Sequence, residues 1–380
     1  MTYDDGFTDN ETDVEDDGAL VVRPSTAARE KARAEFLAES EEEVDEFGFY
    51  ASPGKAAPAQ GSQKAIENHR SKELKWVGAM SAFTPATVKK SKKIRQLARS
   101  GVPNSVRGRV YAFLADIEKY RKPGLYHELC SRNRLEVYDE IEKDLHRCFP
   151  DHSHFKPNSP GREDLASVLK AYAHYDLEEG DGDIGYCQGL DMIAGALLLQ
   201  TDAENAFWIL VCITRDYMKG YHTRSMTGFQ VDGIVFEQIL EANDKKLSEK
   251  LVQNEVTYHM YLSNWVLPLF TRTLPWSSLL RVLDVFLFEG PKFLFRVVLA
   301  IFDLVRDQIM DPSIASQSDI IDILIHIPKE QLLPELLLPA AFLTKINKAL
   351  LRKLTKKAEV LVREGGLGKS LSSKKDRKKK

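Results

Sequence analysis

The 380-residue sequence is short of several things, and each shortage closes off a class of protein. Only four cysteines occur (Cys130, Cys148, Cys187 and Cys212), and no two of them form a CxxC pair. That favours reduced thiols in a cytoplasmic setting over a disulfide framework or a zinc site. No apolar run reaches the roughly 18–20 residues that a membrane-spanning helix needs. The acidic first seventeen residues fit neither a secretory signal nor a transit peptide. The histidines are scattered without an HExxH arrangement, so nothing supports a catalytic metal. Strand signals are scarce, with no alternating β-branched run closed by a hairpin turn. Charge of one sign is not in excess either. With 53 basic against 56 acidic side chains, the net −3 excludes a uniformly basic nucleic-acid binder.

What remains is a chain that is 43% hydrophobic and 29% charged, enough to bury a sizeable core in one large or two ordinary domains. Its charge is unevenly spread. Residues 1–50 hold sixteen acidic and four basic side chains, and residues 345–380 hold fourteen basic and three acidic ones. Residues 1–43 are therefore expected to be an acidic disordered head, within which Ala, Glu, Lys and Arg would allow a local helix over 26–43. Residues 44–50 then place three aromatics in four positions, Phe47, Phe49 and Tyr50. This is either a segment that docks on a folded surface or an isolated sticky patch. Residues 51–63 have the composition of a flexible linker.

From Lys72 onward apolar residues recur at three- and four-residue steps, as at Leu165, Val168, Leu169 and Tyr172, and again at Leu190, Ile193, Ala194, Leu197 and Leu198. Prolines and glycines break the pattern repeatedly. The expectation is an all-α globule of many short helices, without a fixed repeat. Residues 365–370 imitate a phosphate loop, but Arg363 stands where its first glycine is required. The lysine-rich run at 89–93 is read as a solvated helix face rather than an anion patch.

Two segments carry chemistry. In residues 135–154 a helical wheel puts Tyr138, Ile141, Leu145, Cys148 and Phe149 on one face and Arg147 nearly opposite, in the last turn before Pro150. Asp144 lies at the i,i+3 distance that lets a carboxylate steer the guanidinium. Arg147 either complements the negative end of the helix dipole or is held out toward a partner's phosphate, which its fork of donors suits. In residues 178–199 a glycine-rich acidic loop leads to Tyr186-Cys187-Gln188-Gly189 and then an apolar helix. Gln188 sits at or near a helix start, where free amides favour an anion. It is either a polar residue without chemistry or a group that orients a nucleophilic water without a net charge. Tyr186 is a packing neighbour with a polar handle.

Taken in order, these segments and their surroundings resemble the TBC-domain family of Rab GTPase-activating proteins. Gly101-Val102-Pro103, followed by Arg107-Gly108, resembles the family's opening G-I-P-x-x-x-R motif. Ile141, Asp144 and Arg147 are similar to its I-x-x-D-x-x-R motif, and Tyr186-Cys187-Gln188 to its Y-x-Q motif. Residues 272–276 and 281–290 look like later family helices, and Phe47-Gly48-Phe49 and Glu73 to Trp76 like an N-terminal extension. Three positions depart from the pattern: Tyr111 and Leu283 where Trp is usual, and Asp191 where Asn is common. The first two look like packing changes. Asp191 adds a negative charge beside a loop expected to face phosphate.

The resemblance implies a TBC domain over 96–345, preceded at 44–95 by an extension and linker that dock on it. It also implies a dual-finger mechanism on a GTP-bound Rab partner. Arg147 and Gln188 would be the catalytic residues, supported by Asp144, Tyr186, Arg107, Ile141 and Gly189. No cofactor or metal is expected in this chain, because GTP and magnesium belong to the Rab. Residues 346–380 form an amphipathic helix and a basic tail. The helix, with Ile346, Leu350, Leu354, Ala358 and Leu361 as its stripe, either closes the domain or leans on an anionic membrane. A cytoplasmic protein with peripheral membrane contact is the corresponding expectation for its location.

Overall fold

The computed structural model describes residues 45, 47–50, 63–179 and 183–365, together with the backbone of 13–14 and 20–21. The rest of the acidic head, including the expected 26–43 helix, lies outside the described residues, as do the linker over 51–62 and the tail beyond 365. The chain divides into two compact units, Met1–Pro58 and Ala59–Lys380. In the first, β1 (Asp13–Val14) pairs antiparallel with β2 (Leu20–Val21). Asp45 folds the aromatic segment into a turn, its Oδ1 accepting the amides of Phe47 at 2.9 Å and Phe49 at 3.0 Å.

In the second unit the described regular structure is entirely helical, as the three- to four-residue periodicity predicts. It opens with α1 (Gln63–Ala82), α2 (Pro85–Val88), α3 (Lys92–Arg99) and α4 (Asn104–Ala115). Then come α5 (Leu125–Cys130), α6 (Tyr138–Leu145), α7 (Pro160–Glu178), α8 (Leu190–Leu198) and α9 (Ala203–Cys212), which runs into a π turn over Ile213–Tyr217. The second half holds α10 (Thr227–Asn243), α11 (Lys245–Gln253), α12 (His259–Trp265) and α13 (Trp276–Glu289). It ends with α14 (Lys292–Met310), α15 (Gln317–Ile325), α16 (Pro334–Leu343) and α17 (Lys348–Arg363).

Local sequence explains many of the helix starts. Ser91, Ser159, Asp202, Asp244 and Asn347 each accept a first-turn amide with their own side chain, and Pro160 follows Ser159 at the first helical position. Ser316 and Asp319 close a reciprocal capping box. The core of the first half is the mutual packing of α7, α8 and α9. Every residue of α8 is buried, so this helix is surrounded by protein, as its sequence, apolar at every position but Asp191, leads one to expect. Each fully buried Leu, Ile or Met there contributes about 1.5–3 kcal/mol. Lys89 departs from the solvated face expected of its run. It lies partly buried and donates to the Tyr217 hydroxyl at 2.6 Å.

A buried carboxylate clasps the two halves. Asp284, on α13, accepts from the Val102 amide at 2.7 Å, the Tyr111 hydroxyl at 2.8 Å and Arg107 Nε at 3.2 Å. Arg107 also bonds Asn104 and the Val102 carbonyl. Gly101 has a φ of 96°, and a Cβ there would press within 2.8 Å of Arg281 Nε, so the tight approach to α13 needs glycine. The opening motif and the 281–290 motif are thus one structural joint. Tyr111, in place of the usual Trp, contributes a donor to it, while Leu283 is simply buried.

The last helix packs on α10, burying Leu351 and Ala358, and so closes a face of the domain. Leu350, expected in its apolar stripe, stands 40% exposed. The outer face carries Arg352, Lys353, Lys356 and Lys357, all exposed. Among the described residues no helix is long and apolar enough to cross a membrane.

Candidate functional site

The site is built on two short helices. Helix α6 is anchored by Ile141, which is fully buried, and by Tyr138, whose hydroxyl lies 3.0 Å from His174 Nε2 on α7. The helix ends at Leu145, earlier than the wheel through Phe149 implied, and Arg147 stands in the following turn with its amide bonded to the Asp144 carbonyl at 3.0 Å. The reason is the chain's inward dive. Cys148 is completely buried, and Phe149 takes a left-handed φ of 42° that no helix continues.

Asp144 and Arg147 meet as the spacing predicted. The guanidinium donates to Asp144 Oδ1, and this hydrogen bond holds the arginine's pKa above its ordinary value. The Arg147 side chain is 45% exposed and that of Asp144 only 10%, so a buried acceptor steers an outward cation. Asp144 Oδ2 accepts from the Tyr186 hydroxyl at 2.8 Å. Burial raises the Tyr186 pKa well above the phenol range, which keeps the hydroxyl a donor. Tyr186, expected as a packing neighbour, therefore bridges the two motifs.

Gln188 follows two residues later, exposed and immediately before the helix cap Gly189. Among the described residues its side chain has no hydrogen-bond partner. Gly189 has a φ of 108°, a conformation that only glycine adopts without strain. The Leu267–Pro268 backbone lies directly against this glycine, 3.5 Å from where a Cβ would stand, an ordinary van der Waals contact. Upstream, Gly185 donates its amide to the buried Asp176 at 3.2 Å, and Asp183 accepts the Arg224 amide at 2.8 Å. The loop is thus tied down on the N-terminal side of Tyr186.

The floor beneath Gly189 was not legible in the sequence. His222 Nε2 donates to the Leu267 carbonyl at 3.0 Å, and burial lowers this histidine's pKa to about 4, so it is neutral. Leu269 and Phe270 follow with φ of 51° and 64°, two consecutive non-glycine residues in left-handed conformation. Trp276 meets Phe149 edge to face at 5.5 Å, which brings the 272–276 motif against the arginine's loop.

Two expectations change. Arg107, expected among the supporting residues, has its partners in the Asp284 clasp and supports the fold there. Asp191 does not present its charge to a phosphate-facing surface. It is fully buried, and its Oδ1 accepts the Gly189 amide at 2.9 Å. Its Oδ2 has no partner among the described residues, and burial raises its pKa. The physical reason is its place in the first turn of α8, where a short carboxylate caps a free amide. Among the described residues no group of three His, Cys, Asp or Glu is placed to hold a metal ion.

Comparison with known proteins shows which family the chain resembles. The Rab-GTPase-TBC domain matches residues 104–310. Mouse TBC1 domain family member 10A is 36% identical over 271 residues, covering 69% of this chain and 52% of that protein. Mouse Carabin is 32% identical over 337 residues, covering 87% of this chain and 72% of its own length. The chain thus spans about half the length of the first relative. The crystal structure of a Chlamydomonas flagellar RabGAP TBC domain superposes with a TM-score of 0.59 at 22% identity, covering 78% of this chain and 98% of that one, a likeness of fold. The arginine and glutamine segments both fall inside the matched region, and on that ground together with the relatives this chain belongs to the TBC-domain family of Rab GTPase-activating proteins.

Proposed function

We propose that this chain accelerates GTP hydrolysis by a Rab GTPase, supplying Arg147 and Gln188 in trans. The observation that carries the reading is the hydrogen-bonded chain Arg147–Asp144–Tyr186 with Gln188 two residues beyond it. It holds out an arginine from a buried carboxylate and leaves an amide side chain unengaged beside it. Phosphoryl transfer needs positioning and charge stabilisation more than covalent chemistry. The Arg147 fork would neutralise charge developing on the transferring phosphoryl group. Gln188 would orient the attacking water, donating to one oxygen and accepting from another. GTP and magnesium would be held by the Rab.

The test is phosphate release from a panel of GTP-loaded Rabs. Stimulation by the wild type is expected, with Arg147→Ala and Arg147→Lys losing about 10³–10⁵ in rate, roughly 4–7 kcal/mol of barrier, while remaining folded. Lysine fails because a point charge lacks the forked contact. Full stimulation by either variant overturns the assignment. Binding without stimulation would identify a Rab-binding module instead.

The same reading places the protein in the cytoplasm, acting in vesicle traffic and touching membranes peripherally. The exposed Arg352, Lys353, Lys356 and Lys357 supply a basic face, and each such residue near an anionic surface adds about 1 kcal/mol of attraction. Co-sedimentation with phosphatidylserine liposomes tests this. Retention that is unchanged on removing residues 365–380 would exclude a role for the tail.

A further inference from the structure

Arg147 hangs from a chain segment that is itself seated in a specific place. Directly after it, Cys148 is buried against α8, its thiol donating to the Asp191 carbonyl at 3.3 Å. Phe149 follows with its left-handed φ, its ring stacked on Phe155 at 6.1 Å and set edge-on to Trp276. The part of α8 facing both residues is Gly195. A Cβ built there would collide with Cys148 Sγ and lie 3.2 Å from two ring carbons of Phe149.

This glycine has an uncommon setting. It lies inside a helix, where glycine costs about 1 kcal/mol relative to alanine. Its conformation is helical, so backbone freedom does not explain it. What it supplies is a notch one side chain deep. The segment that fills the notch begins one residue after Arg147, and the helix that carries the notch begins two residues after Gln188. One rigid, fully buried helix thus seats the loops of both functional side chains.

We infer that Gly195 is a positioning residue for Arg147, its missing side chain forming the seat for Cys148 and Phe149 that fixes the arginine relative to Gln188. The inference rests on the functional reading above and extends it to a residue that touches neither GTP nor Rab. A methyl group in the notch lifts Cys148 and Phe149 outward. Arg147 moves with them, because only one peptide separates it from Cys148. A displacement of about 1 Å at a catalytic group costs about 10²-fold in rate. The loss falls on kcat, because the arginine's contact forms chiefly in the transition state.

The experiment compares wild type, Gly195→Ala, Cys148→Ala and the double variant on the Rab that the wild type stimulates best, reading kcat, KM and melting temperature. Gly195→Ala is expected to lower kcat by about 10²-fold with KM for the Rab little changed. The double variant moves one heavy atom across the contact and conserves volume. It is expected to return kcat to that of Cys148→Ala alone. Should Gly195→Ala fail to fold, the double variant alone decides, since it relieves the collision. A full kcat in folded Gly195→Ala overturns the inference. So does a double variant that regains its melting temperature but not its kcat. A wild type that stimulates no Rab overturns the functional reading instead, and is distinguished by failing before any variant is compared.

Discussion

The Tyr186 hydroxyl donates to Asp144 Oδ2 at 2.8 Å, and this bond joins the two segments that carry the chemistry. The other oxygen of the same carboxylate receives Arg147. One buried group therefore sets the arginine's direction from one side and is itself fixed from the other.

Removing that bond tests its importance. In Tyr186→Phe the ring still fills its site, but Asp144 loses a buried donor, at a cost of about 1–3 kcal/mol. Arg147 then has a looser anchor, and stimulated hydrolysis is expected to fall by about ten- to hundredfold. Rab affinity should change far less. Phosphate release and urea denaturation measure the two effects separately, and unchanged activity would show that Arg147 needs no help from Tyr186.

Asp191 gives a prediction of the opposite sign for stability. Its raised pKa means that the ionised form is disfavoured in the folded protein relative to the unfolded chain. That cost is absent below the ordinary aspartate value of about 3.9, grows as pH rises, and is complete above the raised folded value. Asn keeps an acceptor for the Gly189 amide and removes the buried charge. Asp191→Asn should therefore be more stable than wild type at neutral pH, with the difference vanishing on acidification. Stability curves for both proteins across pH 3.5–8 check the sign, and a variant that is less stable at pH 7 would refute it.

The Asp284 clasp predicts a large loss. Asp284 has no exposed surface and gathers three donors from the 102–111 segment, among them a guanidinium. Asp284→Ala leaves the buried Arg107 without its counter-charge, which costs about 3–5 kcal/mol. Melting temperature and proteolysis should both report it. Because the clasp supports the fold, residual folded protein should still respond to Arg147→Ala as the wild type does.

The legible parts of this molecule were those written in local spacing. The i,i+3 relation of Asp144 and Arg147 is a property of any helical turn, and the apolar periodicity of α7 and α8 follows from their burial. What sequence could not disclose is contact between distant segments. Nothing in the spacing ties Tyr186 to Asp144, Arg107 to Asp284 or Cys148 to Gly195, because each pair meets only after the helices pack. Arg107 is the instructive case. Its place in a motif implied a supporting role at the site, yet its partners put it in the joint between α4 and α13. The early end of α6 was hidden for the same reason, since the positive φ of Phe149 goes with ring contacts to Phe155 and Trp276 that form only when the helices pack.

His222 gives the final prediction, a dependence of stability on acid. Burial lowers its pKa to about 4, so the folded protein holds it neutral while it bonds the Leu267 carbonyl beneath Gly189. In the unfolded chain the imidazole titrates near its ordinary value of about 6.5. Between those two values the unfolded state binds more protons, so stability falls as pH drops through this window. The loss attributable to this one group reaches about 3 kcal/mol at the acid end. His222→Gln offers an amide donor to the same carbonyl without a titrating ring. Its stability should therefore decline less steeply than that of the wild type between pH 6.5 and 4, and the two slopes, read by urea denaturation at several pH values, decide the matter. Parallel slopes would mean that His222 charges without cost and that the floor under Gln188 and Gly189 tolerates the imidazolium.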